Sequence, residues 1–200
     1  MRREKIVFFV FVFILLAFTS SGHAIEPYVK LFRSDYQTRL DPAKYPEFKN
    51  QTISFYSIGI EDRNLNNFFF YSSDDKIGYE LYYSHNKPMQ PVSSFFWYAL
   101  EKTFGTLGLV VTPDGPIENV PALVLTFTFL NDQEAKFRIT LTRNEKLLLE
   151  KTISVTQKLP PTNDIEELEK RGYALIDLIA RAILNDPDFK RGFSPTRGKI

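Results

Sequence analysis

The sequence predicts an α+β protein, with one antiparallel-rich sheet and two helices packed on one face of it in a two-layer arrangement. Apolar and polar residues alternate over much of 122–156, as in strands that have one face on a core. Two other segments, 92–103 and 164–184, have apolar residues at three- and four-residue spacings, which is typical of one helix face. No internal repeat interrupts this order.

The first 24 residues have the layout of a secretory signal peptide. Arg2, Arg3 and Lys5 give a positive start, 6–18 is an unbroken apolar run, and small and polar residues lead to Ala24. The apolar run has 13 residues, fewer than the roughly 20 that a membrane-spanning helix needs. We expect cleavage after Ala24 and export of the mature chain. An uncleaved signal that serves as an anchor is the alternative.

Composition limits the environment and the partners of the mature chain. Its 176 residues suffice for one domain with a core of its own. Removing the charges of residues 1–24 leaves a net charge near −1, which gives no reason to expect a nucleic-acid partner. There is no cysteine, hence no disulfide and no lipid attached through cysteine. We expect a periplasmic or outer-membrane-associated protein with no transmembrane span after cleavage.

The segment from 25 to 50 predicts an irregular leader that lies on the surface of the domain. It has mixed polarity without a clean period, and Pro42 and Pro46 discourage regular structure. One short extended piece is expected at 28–32. The domain itself is expected to span 51–187, and a loose basic tail to span 188–200.

The first half of the domain predicts a strand, a hairpin and a helix. A strand near Thr52 is rich in β-branched and aromatic residues, and two aromatic runs around a turn at 72–75 indicate a hairpin. The helix begins at Val92, and we expect Gly105 or Gly108 to end it. Six residues share its apolar face: Val92, Phe95, Phe96, Ala99, Leu100 and Thr103.

The second half predicts a short strand at 109–111, a three-strand meander and a closing helix. Lys151 shares a face with apolar neighbours in the third meander strand. This indicates either a bulge or a bare strand end, which the core does not cover. Asn163 is expected to cap the closing helix, with Glu166 completing a capping box. Gly172 lies in its apolar stripe and indicates close packing on the sheet.

The residues that carry chemistry are few, so we predict a protein that is not an enzyme and needs no cofactor or metal. His85 is the one histidine of the mature chain, and no phosphate-binding glycine motif is present. We interpret His85 as an exposed loop residue. Asp62 and Arg63 follow the first domain strand and indicate a structural ion pair. The alternative is a secreted carboxylate-dependent hydrolase with Asp62 as the first candidate acid.

Aromatic density is the unusual feature, because eleven aromatic residues fall within 68–98. Four consecutive aromatic positions on a helix point in nearly four directions, so Trp97 or Tyr98 is expected to turn away from the sheet. Exposed aromatic residues suit interfaces with proteins, lipids or glycans. The alternative is that they pack under the leader. The candidate partner-binding residues are Trp97, Tyr98, Phe69, Tyr71 and Tyr82.

The segment 91–187 resembles the small bacterial envelope proteins known as ABC-type transport auxiliary lipoproteins. The likeness lies in the order of elements: a helix containing 96–100 before the strand 109–111, the meander 122–155 and the closing helix 164–184. The Asp62–Arg63 step is also similar to related small lipoproteins. Those proteins are usually anchored through an N-terminal cysteine, which this chain lacks.

Together these features predict a non-catalytic periplasmic or envelope accessory protein. Its role would be binding or assembly, and the resemblance implies a link to lipid transport or export at the outer membrane. The expected partner is an envelope protein, a lipid or a glycan. A structural cell-surface component is a further alternative.

Overall fold

The computed structural model describes residues 28–61, 68–71 and 74–193, with the backbone alone for 68–71 and 74–77. The predicted signal peptide therefore lies outside the described residues, as do Asp62 and Arg63. The elements, in chain order, are β1 (Val29–Phe32), β2 (Thr52–Ile60), β3 (Phe68–Tyr71), β4 (Asp74–Tyr82), α1 (Val92–Thr106), β5 (Val110–Thr112), β6 (Ala122–Leu130), β7 (Glu134–Arg143), β8 (Lys146–Thr156), α2 (Ile165–Asn185) and α3 (Pro187–Arg191).

The α+β class is confirmed, but the strands form two sheets where one was predicted. The larger sheet has the order β5-β2-β6-β7-β8, and the smaller has the order β1-β4-β3. In the larger sheet β2 is parallel to both of its neighbours, β5 and β6. Parallel neighbours require crossover connections, so the chain leaves this sheet after β2. The β3–β4 hairpin then pairs with β1.

The main core lies between the larger sheet and the two long helices. Helix α1 packs on β2 and β5, whereas α2 packs on β7, β8 and β1. The rings of Phe96, Phe127 and Phe137 meet edge to face in sequence, with centroid separations of 5.1 and 6.1 Å. All six residues of the predicted apolar face of α1 are buried. The predicted meander is confirmed, because β6, β7 and β8 pair antiparallel in order.

A bulge, one of the two alternatives predicted for the third meander strand, is present in β8, but it lies before Lys151. Leu141 pairs with Leu149, but Thr142 pairs with Leu147, so Leu148 is an extra residue in β8. Lys151 reaches over the end of α2 and binds Asp186 at 2.6 Å.

The start of α2 differs from the prediction by one residue. Asp164, not Asn163, is the N-cap, and its carboxylate accepts hydrogen bonds from the backbone N–H groups of Glu166 and Glu167. Asp164 has extended backbone angles, as an N-cap requires, and its own N–H donates to Thr162 Oγ1. The Glu166 side chain binds Lys170, and Glu167, three residues after the N-cap, binds Arg171, so the predicted capping box does not form.

The leader is part of the core, which corrects the prediction that it lies on the surface. The extended piece expected at 28–32 contains β1 (Val29–Phe32), which pairs parallel with β4. Gly172 allows this approach, because a Cβ there would lie 2.6 Å from Leu31 Cδ1. Beyond β1, two short 3-10 helices begin at Pro42 and at Pro46. Six apolar or aromatic leader residues are buried: Val29, Leu31, Tyr36, Leu40, Tyr45 and Phe48.

The first part of the predicted loose tail is likewise ordered. Residues 187–191 form α3, and Phe189 is fully buried against Phe48 and Phe193. Besides these ring contacts, Lys190 binds Glu47 of the leader at 2.6 Å. Residues 194–200 lie outside the described part of the chain. Among the helices that the structure describes, none is long and apolar enough to cross a bilayer.

At the end of α1, Gly108 rather than Gly105 adopts a backbone conformation that requires glycine. Gly108 has φ of 97°, and a Cβ there would lie 3.1 Å from the Lys49 Cα. We expect Gly108→Ala to lower the free energy of unfolding by about 1–2 kcal/mol. Gly105→Ala is the matched control. It lies inside α1 with open space around it, so it should raise stability by up to about 1 kcal/mol. Urea unfolding measures both, and equal effects would contradict this assignment.

Candidate functional site

The five predicted partner-binding residues are divided between two strands and a helix. Trp97 and Tyr98 lie in α1, and Tyr82 is the last residue of β4. Phe69 and Tyr71 lie in β3, where Phe69 pairs with Tyr79 of β4. The side chains of Phe69 and Tyr71 lie outside the described part of the structure.

Trp97 points inward and serves the fold. Its Nε1–H donates to the Phe55 carbonyl oxygen at 2.9 Å, and its ring stacks on Phe55 with a centroid separation of 5.8 Å. Tyr98, the next residue, turns away from the sheet and is 39% exposed. Of the two aromatic residues predicted to compete for the outward direction, the structure therefore selects Tyr98.

Tyr98 belongs to a cluster that the sequence did not indicate. The Arg33 Cζ lies 4.0 Å from the centroid of the Tyr98 ring and 3.9 Å from that of Tyr83. Tyr83 is 42% exposed. The two rings make no contact with each other, so they lie on different sides of the guanidinium. We call these three residues the Tyr–Arg–Tyr stack.

The pairing of β1 with β4 places Arg33 between the rings. Backbone hydrogen bonds between the two segments continue beyond β1, because Arg33 N donates to Tyr82 O at 2.8 Å and Ser34 N donates to Tyr83 O at 3.1 Å. Arg33 and Tyr83 are fifty residues apart, and a parallel pairing over that separation leaves no local pattern in a sequence. No periodicity could have identified Arg33.

The stack borders an open groove of about 420 Å³ between the leader, the end of β4 and α1. The groove is lined by Arg33, Ser34, Tyr83, Tyr98, Glu101 and Lys102. Lys102 Nζ donates to the Tyr36 carbonyl oxygen, so its position is fixed by the leader. Within the described residues, the Arg33 guanidinium makes no ion pair and no hydrogen bond to a protein acceptor.

A second group of rings lies beside the strand ends and includes Tyr82. The Tyr82 and Phe32 centroids are 5.4 Å apart, and Phe32 stacks on the exposed loop residue His85 at 3.9 Å. Tyr82 donates to Glu80 Oε2 at 2.8 Å, and this hydrogen bond raises the pKa of Tyr82. His85 Nε2 lies 2.9 Å from Asp35 Oδ2.

The leader beyond Arg33 is fastened by one buried carboxylate, Asp177 of α2. Its Oδ1 accepts from Tyr36 OH and Thr38 Oγ1, both at 2.7 Å, and its Oδ2 accepts from Arg39 N at 3.0 Å. The Tyr36 hydroxyl also meets Thr103 Oγ1 of α1 at 2.7 Å. Burial and the nearby Asp177 charge raise the pKa of Tyr36, so its hydroxyl stays protonated and can donate.

The other charged contacts serve the fold. Arg171 and Asp132 are buried 3.8 Å apart and join α2 to the β6–β7 turn. Arg171 Nη2 also donates to Pro160 O at 2.7 Å. Glu61, next to the predicted Asp62–Arg63 pair, binds Arg138 across the sheet at 2.6 Å. In the part of the chain that is described, no group of three or more histidines and acids is placed to hold a metal ion.

Comparison with known proteins finds the fold but not a family. No family model matches the chain, and no curated protein does. Among solved structures, protein XCC0632 from Xanthomonas campestris, of the DUF330 family, matches with a TM-score of 0.55 and 8% identity, over 82% of this chain and 96% of that one. An uncharacterized protein matches with a TM-score of 0.43 and 13% identity, over 68% and 94%. This chain thus shares its fold with a DUF330 protein.

Stability measurements should separate Trp97 from Tyr98. We expect Trp97→Ala to lower the free energy of unfolding by about 3 kcal/mol, because it removes a packed ring and leaves the Phe55 carbonyl without its donor. Tyr98→Ala should lower it by about 1 kcal/mol, because it removes the contact with Arg33 and the edge-to-face contact with the Trp97 ring, whose centroid lies 4.8 Å away. Urea unfolding of both variants measures the difference. A loss as large for Tyr98→Ala as for Trp97→Ala would place Tyr98 in the core.

Proposed function

We propose that this protein is a non-catalytic accessory of a bacterial envelope, which binds a partner protein through the groove beside the Tyr–Arg–Tyr stack. The observation that carries the proposal is the stack itself. Tyrosine and arginine dominate the binding energy of protein interfaces, and here two half-exposed tyrosines hold an arginine in an open groove. Because the three side chains already contact one another, little entropy is lost when a partner binds.

The described acidic and basic groups support a binding role over catalysis. Glu101 is the one carboxylate in the lining of the groove, whereas acid–base hydrolysis of a glycoside requires a facing pair. His85 is joined to Asp35, and both are exposed in a loop region. Ser34 Oγ donates to Asp35 Oδ1 at 2.8 Å, so among the described contacts the serine binds the acid and not the imidazole, which is not the order that activates a serine nucleophile. Asp62, the acid suggested for a hydrolase, lies outside the described residues.

The envelope location is supported by the sequence. The first 24 residues have the layout of a secretory signal, and the order of elements resembles that of transport auxiliary lipoproteins. The shared fold with a Xanthomonas campestris protein is consistent with a bacterial origin. We propose that the protein is exported without a cysteine-linked lipid and assists assembly, lipid transport or export at the outer membrane.

Site-specific crosslinking in cells tests the partner. We would replace Tyr98 by a photoreactive benzoylphenylalanine in the full chain, irradiate living cells and identify the products by mass spectrometry. We expect transporter or outer-membrane assembly subunits to be captured from position 98. Leu148 is the matched control, because it is 42% exposed in the edge strand β8, away from the groove. An identical set of products from both positions, or none from position 98, would contradict the proposal.

A further inference from the structure

The Arg33 guanidinium has an unusual combination of contacts. Aromatic rings cover it from two sides, which favours the charge and fixes the position of the group. The guanidinium carries five N–H donors in a planar fork. Within the described residues none of these donors has a protein acceptor. Arg33 also lines the groove, so these donors are available to a ligand there.

We infer that the groove binds a carboxylate of a peptide segment, through paired N–H···O hydrogen bonds from Arg33. The fork of a guanidinium matches the two oxygens of a carboxylate. The exposed parts of Tyr83 and Tyr98 supply apolar surface for the residues that flank the acid. This inference rests on the proposed function and names the chemistry by which the partner is recognised.

The charges of the groove favour a carboxylate over a phosphate group. Arg33 and Lys102 contribute two positive charges and Glu101 one negative charge, so the lining carries a net charge of +1. One carboxylate balances that charge. A phosphate monoester carries about −1.5 to −2 and would face Glu101 with an uncompensated charge.

The overall charge also favours a peptide over a membrane surface. Adsorption to anionic lipids requires a cluster of several basic residues, and the groove contributes two that are offset by an acid. The mature chain as a whole is near −1. A short acidic and apolar segment of another protein fits the groove better than a lipid surface does.

Titration with two capped tripeptides tests the inference. One has a glutamate between two leucines, and the other has glutamine in place of the glutamate. Binding to the purified, isotope-labelled protein is followed by NMR through the Arg33 Nε–H and Tyr98 ring signals. We expect the glutamate peptide to bind about tenfold more tightly, as a charge-assisted hydrogen bond predicts.

Variants of Arg33 identify the group responsible. Arg33→Lys keeps the positive charge but loses the paired N–H donors of the guanidinium, so it should weaken binding of the glutamate peptide about tenfold. Arg33→Gln should give both peptides equal affinity. Lys30→Gln is the matched control, since it removes an exposed cation from β1, the strand that Arg33 directly follows, and should change nothing. Circular dichroism verifies that each variant is folded. Unchanged discrimination in folded Arg33→Gln would overturn the inference.

Two further titrations test whether the groove binds other anions instead of a carboxylate. Inorganic phosphate and phosphatidylglycerol vesicles are titrated in the same way, and we expect neither to shift the Arg33 signal at concentrations that saturate with the glutamate peptide. Binding of either one without binding of the peptide would overturn the carboxylate assignment.

Crosslinking separates this inference from the proposed function. If position 98 captures an envelope protein in cells and Arg33→Gln leaves the yield unchanged, the carboxylate inference is wrong while the proposed function stands. If the peptide binds through Arg33 but position 98 captures nothing, the proposed function is wrong while the anion site stands.

Discussion

The carboxylate of Asp177 is the contact on which the arrangement of this fold depends. It is buried in α2 and receives three hydrogen bonds, all from residues 36–39 of the leader. Tyr36 extends the network to Thr103 of α1, so that one buried polar cluster joins both long helices to the leader. A buried charge is tolerated only when it is fully hydrogen-bonded. The leader therefore has to lie where it supplies those donors.

Fixing the leader has a direct consequence for the candidate site. Arg33 lies between β1, which pairs with β4, and Tyr36, which is held by Asp177. The segment between these two attachments is short, so the position of Arg33 is determined from both sides. Tyr83 and Tyr98 come from β4's end and from α1, and the groove thus depends on three separate parts of the chain. Its geometry is a property of the whole domain.

The sequence predicted the parts of this structure that local patterns encode. The alternation of apolar and polar residues predicted the β6–β8 meander, and apolar residues at helical spacing predicted α1 and its buried face. Both patterns lie in residues that are near one another in the chain. The leader was not predicted as core, because its buried residues share no period over the whole segment and Pro42 and Pro46 interrupt it. The same limit applies to the site. The outward direction of Tyr98 was predictable from its position in the helix. Arg33 and Tyr83, in contrast, come together only through a long-range parallel pairing.

Hydrogen exchange of the leader amides is the most direct test that the leader is structural. Arg33 N donates to Tyr82 O, Ser34 N to Tyr83 O and Arg39 N to Asp177 Oδ2. If these bonds hold the leader in the fold, the three amides exchange as slowly as those in the middle of α2, since all open in one cooperative unit. Exchange of these amides at the rate of an unstructured peptide, with β6–β8 still protected, would contradict the account.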